Sequence, residues 1–136
     1  MLKRFIIATV AVFVAWSILD IIIHGVILGD AYAQTAQFWR PMEEMMMWLI
    51  YLVSLVSAAC MAAVYAWFIR PKSLLNGLYF GLLWGAAAGI SMGYGTYSSM
   101  PIPYIMAAVW FWGVLIEGAV AGLIAGAIIK EPVASD

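Results

Sequence analysis

Charge is what this chain has least of. Lys, Arg, Asp and Glu together make up 10% of its 136 residues, against 67% hydrophobic. Water-soluble domains are about 25% charged and about 45–50% apolar. A soluble domain of this length has too much surface for its volume to hide so much apolar area. Composition therefore excludes a water-soluble globular domain and predicts an all-α integral membrane protein.

Other scarcities narrow the function. The single cysteine, Cys60, lies in an apolar segment, so an internal disulfide is impossible and no redox compartment is signalled. The single histidine, His24, excludes a bis-histidine haem within one chain. A His/Met pair or a site shared across a dimer is all that composition leaves for haem. A net charge of -1 says nothing about nucleic acid, and with no basic patch to argue from, no nucleic-acid partner is expected. No G-x-S-x-G, Walker, C-x-x-C or H-E-x-x-H motif is present. An enzyme is accordingly not the expectation, and no cofactor is predicted. Metal binding stays unassigned: Met42, Met45 and Met46 can share a face and offer soft sulfur to Cu(I). Methionine is equally an ordinary flexible apolar residue.

Long apolar runs are what the chain has in abundance. A spanning helix needs about 20 mainly apolar residues, and four runs qualify: Phe5–Leu28, Met45–Ile69, Leu74–Tyr97 and Tyr104–Ile129. Between them lie a polar stretch at 30–44 with Pro41, the Arg70-Pro71-Lys72-Ser73 turn, and residues 98–103 with Pro101 and Pro103. Proline opposes continued helix. Loops this short make sequence neighbours antiparallel and adjacent. The expectation is one transmembrane domain over 1–136, four helices in an antiparallel up-down bundle.

Lys3, Arg4, Arg70, Lys72 and Lys130 fall on one side of such a bundle, and only Arg40 on the other. The positive-inside rule then puts both termini in the cytoplasm and the chain in the cytoplasmic (inner) membrane. Lys3-Arg4 followed by apolar residues, with Ala31-Tyr32-Ala33 downstream, mimics a signal peptide. The run is too long and the small residues too distant for cleavage to be expected.

Small residues mark the helix faces. Gly77, Gly81, Gly85, Gly89 and Gly93 recur every four residues in the third run, and Gly118, Gly122 and Gly126 in the fourth. The second run has a milder stripe, Ser54, Ala58, Ala62 and Ala66. In lipid, helices associate chiefly through close backbone approach over small residues. The stripes predict tight packing of the third run on the fourth, or packing between protomers or against a membrane-complex partner. Within the third run, Ser91-Met92-Gly93-Tyr94-Gly95 resembles the potassium-channel filter signature. A filter needs a re-entrant pore helix and extended backbone. Here the triplet ends a run of spanning length, so the resemblance carries no function.

Aromatic residues sit where interfacial belts are expected: Tyr32, Phe38, Trp39 and Trp48 at one face, Tyr65, Trp67 and Phe68 at the other. Pro41, Glu43 and Glu44 suit the first turn of the second helix.

The ionisable residues inside the runs are harder to explain. Ser17, Asp20 and His24 form a polar stripe on the first helix, and Glu117 lies near the centre of the fourth among Gly113, Ala121 and Ala125. A charge at a helix centre costs about 2.5–3.5 kcal/mol on insertion scales. Protonation, a hydrogen bond to a neighbour, or a pair with charged His24 would relieve it. With the first and fourth helices antiparallel, Asp20 and Glu117 meet at similar depth. Two functional classes follow. One is a small transporter or proton/solute-binding protein, oligomeric, with Ser17, Asp20, His24 and Glu117 at its site. The other is a non-catalytic accessory or assembly subunit that packs on partners through the glycine stripes.

Overall fold

The computed structural model describes residues 1–131; residues 132–136, the tail of the expected single domain, lie outside the described residues. Among the described residues every regular element is helical. Four helices are long and apolar enough to cross a membrane: the first span Leu2–Ile27, the second Met47–Phe68, the third Leu74–Ser99 and the fourth Tyr104–Ile128.

Local chemistry sets most of the ends. The second span stops before Arg70-Pro71, where proline removes a donor and biases its predecessor away from helix. Ser73 starts the third: its Oγ accepts from the Asn76 amide at 3.0 Å, a cap worth about 1 kcal/mol. Pro101 and Pro103 separate the third span from the fourth.

Two spans change pitch. The first is α-helical to Asp20 and π-helical over Ile21–Ile27, so the Leu28 amide reaches back five residues to the Ile23 carbonyl at 3.0 Å. The third is α-helical to Ile90 and π-helical over Ser91–Gly95, and it closes with an α turn at Thr96–Ser99. The filter-like residues are thus part of a helix wall.

Third and fourth spans touch backbone to backbone. A Cβ built on Gly77 meets Gly122 and Gly126, on Gly81 meets Gly118 and Gly122, and on Gly93 meets Ala107. On Gly85 it lies 2.8 Å from the Val114 carbonyl oxygen, and on Gly89 2.8 Å from that of Phe111. Numbers rise on one helix as they fall on the other, so this pair runs antiparallel. Ala8, Val12 and Trp16 of the first span pack against Ala58, Met61, Ala62 and Ala66 of the second and Ala121 and Ala125 of the fourth. Second and third spans meet through longer side chains, Phe80 standing between Tyr65 and Trp84 at ring separations of 6.2 and 6.3 Å.

The two ends of the bundle differ. At the terminal end Arg4 donates to the Lys130 carbonyl, and the Lys72 amide donates to Glu131. Lys72 is buried there, its Nζ donating to the Tyr65 and Ile69 carbonyls at 3.3 and 3.1 Å. Tyr65, expected in an interfacial belt, is fully buried: its hydroxyl donates to the Ser73 carbonyl and accepts from the Ser73 amide. The tight turn between second and third spans draws it inward. At the opposite, loop end, none of residues 47–57 is buried, and this part of the second span meets the first through Tyr51, whose ring lies 6.4 Å from that of Phe13.

The start of the second span also departs from expectation. Met42–Glu44 forms a separate 3-10 turn, and Met45 then runs extended before the helix begins at Met47. Pro41, Glu43 and Glu44 therefore shape a loop rather than a helix start.

Candidate functional site

His24 sits on the π-helical turn of the first span, one turn beyond Asp20. Its Nε2 lies 3.8 Å from Asp20 Oδ1, and the two side chains are 40% and 42% exposed. Glu117 projects from the fourth span towards them. Its carboxyl approaches Asp20 closely enough for direct interaction, while its Oε1 is buried without a hydrogen-bond partner. Trp16, also on the first span, fixes the register of this pairing: its Nε1 donates to the Glu117 carbonyl at 2.9 Å. Beside it, Gly113 lets Ile23 close on the fourth span; a Cβ there would lie 2.9 Å from Ile23 Cδ1.

His24 is held from the loop side. The short helix Gly29–Gln34 folds back and brings the Tyr32 hydroxyl 2.7 Å from His24 Nδ1. Trp110 donates its Nε1–H to that same hydroxyl at 3.0 Å. A phenol has one proton and can accept. With Trp110 donating, the arrangement that satisfies every group has Tyr32 donating to Nδ1. The neutral imidazole then carries its proton on Nε2, towards Asp20. Trp39 packs edge-on against both Tyr32 and Trp110, at ring separations of 5.4 and 6.0 Å, and donates to Thr35 Oγ1 at 2.8 Å. Burial pushes the Tyr32 phenol above its ordinary value of 10; the Trp110 hydrogen bond opposes this, and the nearby Asp20 charge adds to it.

A cavity of about 10 Å³ lies among His24, Met92, Trp110, Gly113 and Glu117. That is about the room one water molecule needs. Both π-helical segments border it, through His24 and Met92. Widened turns of this kind occur frequently at functional sites.

Asp20, His24 and Glu117 are thus brought together. Ser17 is not: its Oγ donates to the Phe13 carbonyl of its own helix at 2.9 Å. The glycines lie elsewhere, along the third and fourth spans. Tyr32, Trp39 and Trp110 join the site although the sequence reading gave Tyr32 and Trp39 only a belt role and Trp110 none. Trp110 does stand two turns before Glu117 on one helix face, a spacing that marks neighbours. Tyr32 reaches His24 through a chain reversal that no periodicity encodes. Among the described residues no three His, Cys, Asp or Glu side chains converge closely enough to cage a metal ion. Comparison with protein-family models, with curated proteins and with solved structures finds no match to this chain.

Proposed function

We propose that this protein is a small multi-pass transporter or proton-binding protein of the cytoplasmic (inner) membrane. Its four spans form an up-down bundle with both termini cytoplasmic, and it works through Asp20, His24 and Glu117. The observation that carries this reading is a line of proton-binding groups from the 30–44 loop to mid-span: Tyr32 hydrogen-bonded to His24, Asp20 at 3.8 Å from His24, and Glu117 close to Asp20. A proton can pass along such a line where side-chain motion or a water closes the 3.8 Å step between His24 and Asp20. Intramembrane ionisable groups of this kind mark ion pathways and proton relays.

Size favours the proton over other solutes. Space for about one water admits a proton carried on water and excludes an organic substrate in this conformation. Asp20 and Glu117 stand near each other at this depth, two carboxyls that a proton can reach in turn. Below Glu117 the relay ends against an apolar layer of Val12, Trp16, Ala58, Met61 and Ala121. Exchange is therefore with the loop side, and passage across requires that layer to open.

The test uses the purified protein in vesicles with a trapped pH indicator. Wild type is expected to take up or move protons. Asp20→Asn and Glu117→Gln are expected to fold and assemble, since amides still hydrogen-bond, but to lose the response. Proton responses equal to wild type in both variants would overturn the reading.

The accessory-subunit reading keeps one observation in its favour, the unburied stretch 47–57 of the second span. The glycine stripes are occupied within the chain, so a partner would meet the second span instead. A stable stoichiometric complex with another membrane protein in mild detergent, together with no proton response, would favour it.

A further inference from the structure

Where the loop meets the second span there is an open groove of about 440 Å³, walled by Trp39, Met46, Leu49, Ile50 and Val53, with Arg40 at its rim. We propose that this groove holds one phospholipid whose zwitterionic headgroup carries a primary ammonium, of the phosphoethanolamine type. The inference needs only that the spans cross a membrane; it is independent of the proton relay.

Position comes first. The groove begins in the loop and descends the opening turns of the second span. From Met46 to Val53 it reaches about 10 Å at 1.5 Å per residue, well into a leaflet whose hydrocarbon is about 15 Å deep. Its walls are almost wholly apolar, and its volume lies within the range of about 300–1,000 Å³ typical of ligand pockets. A lipid chain fits such walls, and the surrounding bilayer supplies it directly.

Charge then selects the headgroup. Arg40 forms no ion pair among the described residues, and the exposed Glu43 and Glu44 follow it on the Met42–Glu44 turn, equally without ion-pair partners. One guanidinium suits a phosphate, which it can hold through two parallel N–H bonds. Two exposed carboxylates three and four residues along the chain, on the turn next to the groove, oppose an anionic headgroup and favour an ammonium reaching out from the phosphate. A phosphate with a tethered primary ammonium satisfies both signs and offers N–H donors to the carboxylates. A quaternary ammonium offers none.

The groove also adjoins the candidate site. Trp39 forms its wall and packs against Tyr32 and Trp110. A lipid seated there would touch Trp39, which packs on the residues that hold His24.

The test is native mass spectrometry of delipidated protein given phosphatidylethanolamine, phosphatidylglycerol or phosphatidylcholine at equal concentration. One phosphatidylethanolamine is expected to be retained about tenfold better than either alternative. Arg40→Gln is expected to weaken that retention about tenfold, the size of one lost charge-assisted bond. Glu43→Gln with Glu44→Gln is expected to erase the preference over phosphatidylcholine. Val53→Trp, which places a large ring in the lower part of the groove and leaves the headgroup residues in place, is expected to weaken lipid retention as well. Lys3→Gln, at the terminal end, is expected to change nothing. Equal retention of all three lipids, better retention of phosphatidylglycerol, unchanged binding in a helical Arg40→Gln or Val53→Trp protein, or a lipid-free dimer would each overturn the proposal.

Discussion

Replacing Gly85 by alanine is expected to loosen the bundle, although alanine is the better helix former. The added methyl would lie 2.8 Å from the Val114 carbonyl oxygen and 2.9 Å from Leu115 Cα, where ordinary contact begins near 3.4 Å. Both obstacles are backbone, so neither can rotate away. The two helices must separate by about half an ångström or more, and a gap of about 0.5–1 Å already forfeits a quarter to a half of each dispersion contact. Forced overpacking costs about 1–3 kcal/mol, against a gain of at most about 1 kcal/mol from helix propensity. Gly25→Ala is the control: nothing lies within 4 Å of a Cβ there, so only the propensity gain remains. Gly113→Ala should fall between them, because its nearest obstacle is the flexible tip of Ile23. Unfolding in mild detergent with increasing dodecyl sulfate, followed by circular dichroism, ranks the three. If Gly85→Ala proves no less stable than Gly25→Ala, the argument from backbone contact is wrong.

Three other outcomes are expected. Lys72→Met should cost about 1–3 kcal/mol, the penalty of leaving buried carbonyls unpaired, because the Tyr65 and Ile69 carbonyls lose their donor; a detergent unfolding curve unchanged from wild type would refute this. For Tyr32, a folded-state pKa raised by burial means that its contribution to stability is complete below pH 10 and is lost as pH rises through the raised value; a Tyr32→Phe protein should show a shallower alkaline loss of stability, and identical pH profiles would contradict it. For topology, a periplasmic reporter fused after Asp136, a position outside the described residues, should be inactive while one fused after residue 35 is active; the reverse pattern would sink the cytoplasmic assignment of the termini.

The helices were legible because hydropathy is a property of single segments. The runs expected at Phe5–Leu28 and Tyr104–Ile129 emerge as helices Leu2–Ile27 and Tyr104–Ile128. What the segments do to one another was less legible. Sequence gives the depth of Asp20 and Glu117 but not their direction around each helix. Their meeting depends on the register that Trp16 sets by donating to the Glu117 carbonyl. Tyr65 reads as a belt aromatic by position, and only the turn at Ser73 turns it inward. Lys72 reads as a solvated cation, yet it lies over unpaired carbonyls at the end of the second span. The π-helical segments left no signal, because an apolar run looks the same to hydropathy whether its amides reach back four residues or five.

The division between the two ends of the bundle explains why the polar groups lie where they do. Towards the terminal end, Ala58, Ala62, Ala66, Ala121 and Ala125 bring three spans together and leave no room between them. A carboxyl placed there would have neither space nor a partner. Towards the loop end the packing units are large aromatics, and Tyr32, Trp39 and Trp110 each carry one polar atom at the edge of an apolar ring. Such residues fill space while still offering a donor or acceptor. The chain can therefore keep His24 hydrogen-bonded at a depth where water is scarce. The π-helical turn completes the arrangement. Widening the helix just beyond Asp20 changes the direction of every later side chain on that span, and His24 comes to lie over Tyr32 and beside the cavity. The pairing in the sequence motif, an aspartate and a histidine four residues apart, is thus only half of the site; the change of pitch between them joins the motif to the loop.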